Sequence, residues 1–492
     1  MTIFESNNTN SDIPKYLQLA EAIRNTIRNG KLLAKDNLPS VKSISQDMHI
    51  NRHTVMKAFA ELIAEGWIES KQRVGYTVVA NLPIEQSQSS SNVTTRQRSF
   101  DFRLVRNGIK LTDYPAEQFT YNFSGGQPDL SLFPFNEFKR HMSAVLARPQ
   151  TSQLSYGESA GTPELIEQIK IYLRKSRAIT NREVVVTNGS QEAMYILAQL
   201  LLKPGDKVAV EGINYPPAMS IFKNAGAELV CIQQDEQGLL PEDLAVKISQ
   251  GNIRLIYLTP LHQYPTAVTL SVSRRMKIYQ LACQHKIPII EDDYDHEFHY
   301  RCQPLPPMAS EDPQQLVIYM STFSKIMFPG ARIGLVAVNK KLAKAITEYR
   351  LLICHKSNVL MQSALAKWMQ DGGFERHLRR ITRTNLHRRD HAISLLHSYG
   401  CFEFEIPDGG MALWVKLKQV NLKQNTVTDS KISASQLSEQ AKKCNIRIQH
   451  ESQYQLIAEN NQDRYIRIGY AGMHEDKFAK GIELLFGIIQ SQ

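Results

Sequence analysis

Between Asn81 and about Thr120 the sequence turns polar and irregular, with Gln86-Ser87-Gln88-Ser89-Ser90-Ser91-Asn92 at its centre. Such a composition buries too little apolar surface to offset the entropy of ordering it, so no single core can run through this stretch. A flexible span of about 40 residues has an end-to-end distance on the order of 35 Å, enough to hold its flanks apart or let them work across a dimer. The chain is therefore expected as three parts: a front unit at residues 13–80, a linker at 81–120 and a rear unit at 121–492.

The rear unit is long enough for more than one subdomain. With 42% hydrophobic and 22% charged residues, the chain can bury large cores, which excludes collagen-like and wholly disordered readings. The six cysteines, Cys231, Cys283, Cys302, Cys354, Cys401 and Cys444, include no C-x-x-C pair, against both a disulfide framework and a metal cluster. The polar N-terminus and the lack of any 18-residue apolar run predict a soluble cytoplasmic protein with no membrane partner. A net charge of +10 is compatible with a polyanionic partner, but only its location could identify one.

In the front unit Tyr16, Leu19, Ala20, Ile23 and Ile27 recur at helical spacing before Gly30. A second helix is expected from Ser40 as N-cap, and a third after Asn51, burying Val55, Ala58, Phe59, Leu62 and Ile63 and ending at Gly66. Two strand-like runs follow, Trp67–Ser70 and Tyr76–Val79. In a helix-turn-helix with a wing, the third helix sends its N-terminal side chains to base edges in the major groove, which singles out Arg52, His53 and Thr54, with Lys57 one turn on. Bulk charge does not settle the matter, since residues 1–80 hold ten basic against eight acidic side chains.

The ordered strings Leu38-Pro39-Ser40-Val41-Lys42, Asn51-Arg52-His53-Thr54-Val55, Gly66-Trp67-Ile68 and Gly75-Tyr76 resemble the winged helix of GntR-type transcription regulators. The resemblance implies double-stranded operator DNA as partner, contacted by Ser40, Lys42, Arg52, His53, Thr54 and Lys57. Lys42 stands where that pattern has Arg, and Arg73 where the wing has its first Gly. Lysine keeps the charge at position 42 but loses the bidentate fork.

In the rear unit five β-rich runs, Glu183–Thr187, Leu255–Thr259, Ile287–Glu291, Leu316–Ser321 and Ile333–Val338, alternate with helical patterns. That argues for a three-layer α/β core with a largely parallel sheet and ligands at the strand ends. Asn188-Gly189-Ser190-Gln191 opens a helix, where backbone N–H groups suit a phosphate. Glu291-Asp292-Asp293-Tyr294-Asp295 gathers carboxylates at a strand end, which could bind metal, act as acids or face solvent. Ser321-Thr322-Phe323-Ser324-Lys325, with Arg332 seven residues on, suits an aldehyde cofactor with a phosphate tail, its lysine forming a Schiff base.

These segments, with Asn122–Asp129, Tyr156-Gly157, Gly161 and Tyr465–Tyr470, are similar in order and spacing to fold type I aminotransferases. The likeness implies pyridoxal 5'-phosphate as cofactor, no metal, and an α/β PLP-dependent transferase fold with large and small subdomains. It implies Lys325 as the Schiff-base lysine and catalytic residue, Asp292 at the pyridine nitrogen, Tyr294 at the ring hydroxyl and Tyr215 on the ring face. Gly189, Ser190, Gln191, Thr322, Ser324 and Arg332 would form the phosphate cup, and Arg467 would clamp an effector carboxylate. Tyr264, before Pro265, replaces the Asn usual in transaminases; Ile213, Ala267 and Ala412 are further departures.

Joined, the two units resemble the MocR-type subfamily of GntR regulators. The resemblance implies a homodimeric transcription regulator that senses a small amino compound by aldimine exchange at Lys325. Two rivals remain: a working aminotransferase with an accessory DNA-binding unit, and a regulator that has lost its cofactor. The arginines Arg376, Arg379, Arg380, Arg383, Arg388 and Arg389, with no acid among them, are expected as the solvated face of a helix, or as a second DNA-contacting surface. His262 and His391 are expected as structural or hydrogen-bonding groups.

Overall fold

The computed structural model describes residues 13–71, 74–82, 119–155, 159–301, 303–421, 426–429, 432–456 and 463–491. Most of the expected linker (83–118), Arg73 of the wing and Tyr156-Gly157 lie outside the described residues. Two compact units part within the polar segment.

The front unit is α1 (Lys15–Arg28), α2 (Val41–Asp47), α3 (Arg52–Ala64) and the antiparallel pair β1 (Ile68–Lys71) and β2 (Gly75–Val78). Both expected caps are made: Ser40 Oγ accepts from the Ser43 amide at 3.1 Å, and Asn51 Oδ1 from His53 at 2.9 Å. Each satisfies an amide that the first helical turn leaves without a partner. Leu19, Ile23 and Ile27 pack on Val55, Phe59, Leu62 and Trp67 in one core. Arg24 forks onto Glu65 at 2.7 and 2.9 Å, tying α1 to the end of α3. Ile63 is a correction: it lies at the edge of the α3 stripe and is exposed. The strands also sit one residue off the expected pair, with Trp67 before β1 and Val79 after β2.

The rear unit is built on seven strands, β3 (Glu183–Thr187), β4 (Lys207–Glu211), β5 (Glu228–Ile232), β6 (Ile253–Leu258), β7 (Ile289–Asp292), β8 (Val317–Thr322) and β9 (Gly334–Val338). They lie in the order β3-β9-β8-β7-β6-β4-β5. Every pairing from β8 to β5 is parallel, whereas β9 runs antiparallel to both neighbours. Successive residues of β3 enter different cores: Val184 and Val186 on one face of the sheet, Val185 on the other with helix α4 (Ser190–Leu201). The sheet is thus covered on both sides, the expected three-layer arrangement. β4 and β5 were not among the sequence-derived runs; their charged termini, Lys207, Glu211 and Glu228, interrupt the apolar pattern.

A smaller sheet contains Ala412–Asn421 and Tyr465–Gly469, antiparallel to each other. The 27-residue helix α5 (Gly373–Tyr399) lies between left-handed glycines, Gly372 and Gly400. Its arginines divide: Arg376, Arg379, Arg380 and Arg383 are exposed, while Arg388 and Arg389 are buried. For those two, the solvated-face expectation is corrected. Arg388 pairs with Asp129 at 2.7 Å and donates to the Ala471 carbonyl, and Arg389 lies over the Tyr300 ring.

Candidate cofactor site and nucleic-acid interface

Because β9 is antiparallel, its first residue meets the last residues of β3 and β8: Gly334 pairs with both Thr187 and Thr322. The turn at Gly189, with φ of +83°, therefore comes against Arg332. Arg332 Nη2 donates to the Asn188 carbonyl at 2.7 Å, and a Cβ on Gly189 would lie 2.9 Å from that nitrogen. A Cβ on Gly334 would sit 2.6 Å from the Gly189 carbonyl carbon, so both positions need glycine for this approach. The amide end of α4, the guanidinium of Arg332 and the hydroxyls of Thr322 and Ser324, 3.0 Å apart, form an anion cradle.

A cavity of about 410 Å³ opens on this edge of the sheet. Ser190, Gln191, Tyr215, Asp292, Tyr294, Thr322, Ser324, Lys325 and Arg332 all line it. Of the expected cofactor residues, Gly189 alone is not on the wall and stands behind Arg332. Arg467 is also off the wall: buried, it donates to the Ser124 carbonyl at 2.9 Å, with the Tyr264 ring centred 4.6 Å from its guanidinium carbon. Its Nε is buried without a hydrogen-bond partner among the described residues.

The electrostatics follow from burial. Desolvation, with Arg467 second, brings the Lys325 ammonium down to about 8, against the pull of Asp295 and Asp292. Its Nζ donates to the Gly126 carbonyl. Desolvation also lifts the Asp292 carboxyl to about 7, helped by Asp293 and Asp295 and opposed by a hydrogen bond from Tyr257. Tyr257 donates to Asp292 Oδ2 at 2.9 Å, while Oδ1 is buried with no partner among the described residues. An unmatched buried acceptor is costly, and a protonated ring nitrogen would satisfy it. Behind this wall His262 pairs with Asp295 at 2.8 Å and with His299 at 3.2 Å, as expected for a hydrogen-bonding histidine. Burial, then His262, pushes His299 down to about 4.

The residues fit a pyridoxal phosphate: an amine, an acceptor for the ring nitrogen, aromatic walls and an anion cradle face one space. Sequence reasoning missed Tyr257, Gln453, Tyr454, Lys442 and Arg447, which also line the cavity. Tyr257 looks like an interior strand residue, and the others lie in a segment without a chemical motif. Among the described residues no group of His, Cys, Asp and Glu is arranged to hold a metal ion.

In the front unit Ser40, Lys42, Arg52, His53 and Lys57 are exposed and Thr54 is half-buried. Arg52 has no hydrogen-bond or ion-pair partner among the described residues, and the Lys57 ammonium lies 6.0 Å from the Tyr16 ring centre. No described helix is long and apolar enough to cross a membrane.

Comparison with known proteins places both halves. Residues 121–485 match the family described as "Aminotransferase class I and II", and residues 15–78 the "Bacterial regulatory proteins, gntR family". The chain is 32% identical to the "Probable rhizopine catabolism regulatory protein MocR" of Rhizobium meliloti, over 82% of each protein. It is 26% identical to the "HTH-type pyridoxine biosynthesis transcriptional regulator PdxR" of Corynebacterium glutamicum, over 76% of each. Among solved structures it is similar to Pyrococcus horikoshii kynurenine aminotransferase in complex with PMP, with TM-score 0.69 and 25% identity, over 76% of this chain and 92% of that one.

Proposed function

From the premise that the chain belongs to the aminotransferase class I and II family, joined to a gntR-family unit as in the MocR-type regulators, we propose that this transcription regulator senses an amino compound at Lys325. The observation that carries the reading is Lys325 facing the same cavity as Asp292, whose Oδ1 has no partner among the described residues. When bound, pyridoxal 5'-phosphate supplies an aldehyde that condenses reversibly with primary amines.

Each residue then has a role. Ser190, Gln191, Thr322, Ser324 and Arg332, backed by Gly189, hold the phosphate. Asp292, positioned by Tyr257, would keep the ring nitrogen protonated. Tyr215 would cover the ring face and Tyr294 would serve the ring hydroxyl. Lys325, with its ammonium weakened by burial, would present a neutral amine to the cofactor's aldehyde at near-neutral pH. Arg467 attracts the effector carboxylate, which would displace the Ser124 carbonyl from its guanidinium.

Titrating the cofactor-loaded protein with a panel of amines and amino acids should change its visible absorbance and its promoter-DNA affinity at the same concentrations. Absorbance changes without any change in DNA affinity would overturn the sensor reading. Release of keto acid at many turnovers would favour a working aminotransferase, a rival supported by the presence of both Lys325 and Asp292.

DNA is bound through the exposed N-terminal end of α3. Arg52→Ala should weaken specific operator binding by about 1–3 kcal/mol and non-specific binding much less, as competition titrations would read. Equal losses on both DNAs would exclude base reading by Arg52. The chain is further proposed to act as a homodimer. Three consecutive apolar residues ending the helix Lys340–Ile353, Leu351, Leu352 and Ile353, are 46%, 81% and 48% exposed and suit burial by a second copy. Sedimentation as a monomer at micromolar concentration would remove that proposal.

A further inference from the structure

Arg376, Arg379, Arg380 and Arg383 fall at i, i+3, i+4 and i+7 of α5, on one face. Together with Thr384 they line a surface concavity of about 310 Å³ that has no acidic side chain in its lining. Arg376 reaches Glu137 at 3.1 Å, and Arg380 donates to the Leu132 carbonyl at 2.5 Å. Arg379 and Arg383 have no hydrogen-bond or ion-pair partner among the described residues.

The contrast lies within the same helix. Farther along, Arg388 and Arg389 are buried and partnered by Asp129 and Asp390. Four guanidinium groups gathered in one concavity repel one another, and Glu137 answers only Arg376. A bound polyanion would offset that repulsion.

We propose that this face of α5 is a second DNA-binding surface, taking backbone phosphates of the duplex held by the winged helix. The proposal rests on the transcription-regulator reading. Three arguments favour duplex DNA. Residues 1–80 hold ten basic against eight acidic side chains, so most of the chain's net charge of +10 lies outside them. From Arg376 to Arg383 the helix rises about 10 Å, the rise of roughly three nucleotides of one strand. Finally, residues 83–118 connect the units covalently, and 36 residues reach at most about 130 Å. A duplex held by one unit is therefore at high effective concentration for the other.

The test is the salt dependence of binding by the full-length, cofactor-loaded protein to a 150-base-pair duplex, comparing wild type with R379Q/R383Q. Two lost phosphate contacts should lower the slope of log K against log salt by about 2 and weaken binding on the order of 60-fold at 0.1 M salt, the two proteins converging near 1 M. R379K/R383K should restore most of the slope, and the loss should persist in an Arg52→Ala background, since the surfaces are separate. Unchanged cofactor absorbance and circular dichroism would show that the variant is folded. An unchanged slope in R379Q/R383Q overturns the proposal. So does an arm in which inorganic phosphate stabilises wild type but not the variant while DNA binding is the same in both, because the concavity would then be a small-anion site.

Discussion

Lys325→Ala should abolish both borohydride-stable attachment of the cofactor and the response of DNA affinity to amines, while DNA binding without effector persists. The magnitude comes from the amine's surroundings. With its ammonium held near 8, about one tenth of Lys325 is neutral at pH 7, against roughly one part in 2,500 for an ordinary lysine. That is a reactivity advantage of about 250-fold before orientation is counted. Lys442, also on the cavity wall, is exposed and pairs with Glu439 at 2.7 Å. Lys442→Ala should therefore leave attachment intact. The Lys325 side chain faces the cavity rather than packing as core, so its loss should not unfold the rear unit. Mass spectrometry of borohydride-treated protein, beside a DNA titration with and without effector, checks both parts. Attachment at full stoichiometry in Lys325→Ala would move the chemistry to another amine.

Much of this site was legible in the sequence because its residues come in short strings at strand ends. Ser321–Lys325 leaves β8 and Asp292 closes β7, so neighbouring ends of a parallel sheet bring two motifs into one cavity. Caps were legible for the same local reason: Ser40 and Asn51 act two or three residues from themselves. What could not be read is chemistry made by distant partners. Tyr257 and Asp292 are 35 positions apart, and on sequence alone Tyr257 belongs to an apolar strand. Arg388 finds Asp129 across 259 positions, so a run of arginines that suggests one solvated face divides into a buried pair and an exposed four. Ile63 shows the limit of periodicity, since a residue at the margin of an apolar stripe is placed by what packs on it. The position of Arg467, off the cavity wall, depends on Gly125, where a Cβ would fall 2.3 Å from its Nη1.

Glu211→Gln should make the rear unit markedly less sensitive to alkaline pH. Glu211 ends β4, three residues before the Asn214-Tyr215 turn, and is only 5% exposed. Burial raises its carboxyl to about 8, opposed by hydrogen bonds from Gln263 and Thr259. Below about 4.5 the group is protonated in both folded and unfolded chains, and its full contribution to stability is present. As pH rises, the unfolded chain ionises first while the folded one keeps its proton, so unfolding releases a proton and stability falls. The fall ends once the folded carboxyl has also ionised, above about 8. A shift of this size corresponds to at most about 5 kcal/mol. Glutamine keeps an acceptor for Thr259 and Gln263 but cannot ionise. The variant should match wild type within about 1 kcal/mol at pH 5 and exceed it by several kcal/mol at pH 9. Urea unfolding at the two pH values measures the difference, and the infrared carbonyl band of a protonated carboxyl, present in wild type at pH 7 and diminished in the variant, identifies the group. Gln263, which donates to the Ile213 carbonyl at 2.6 Å, joins this strand end to the Tyr264 loop. Ionised Glu211 would therefore loosen the turns that place Tyr215 and Tyr264, and cofactor retention should fall over the same pH range in wild type but not in the variant. Parallel stability curves for the two proteins would mean that Glu211 is already ionised in the folded state at neutral pH.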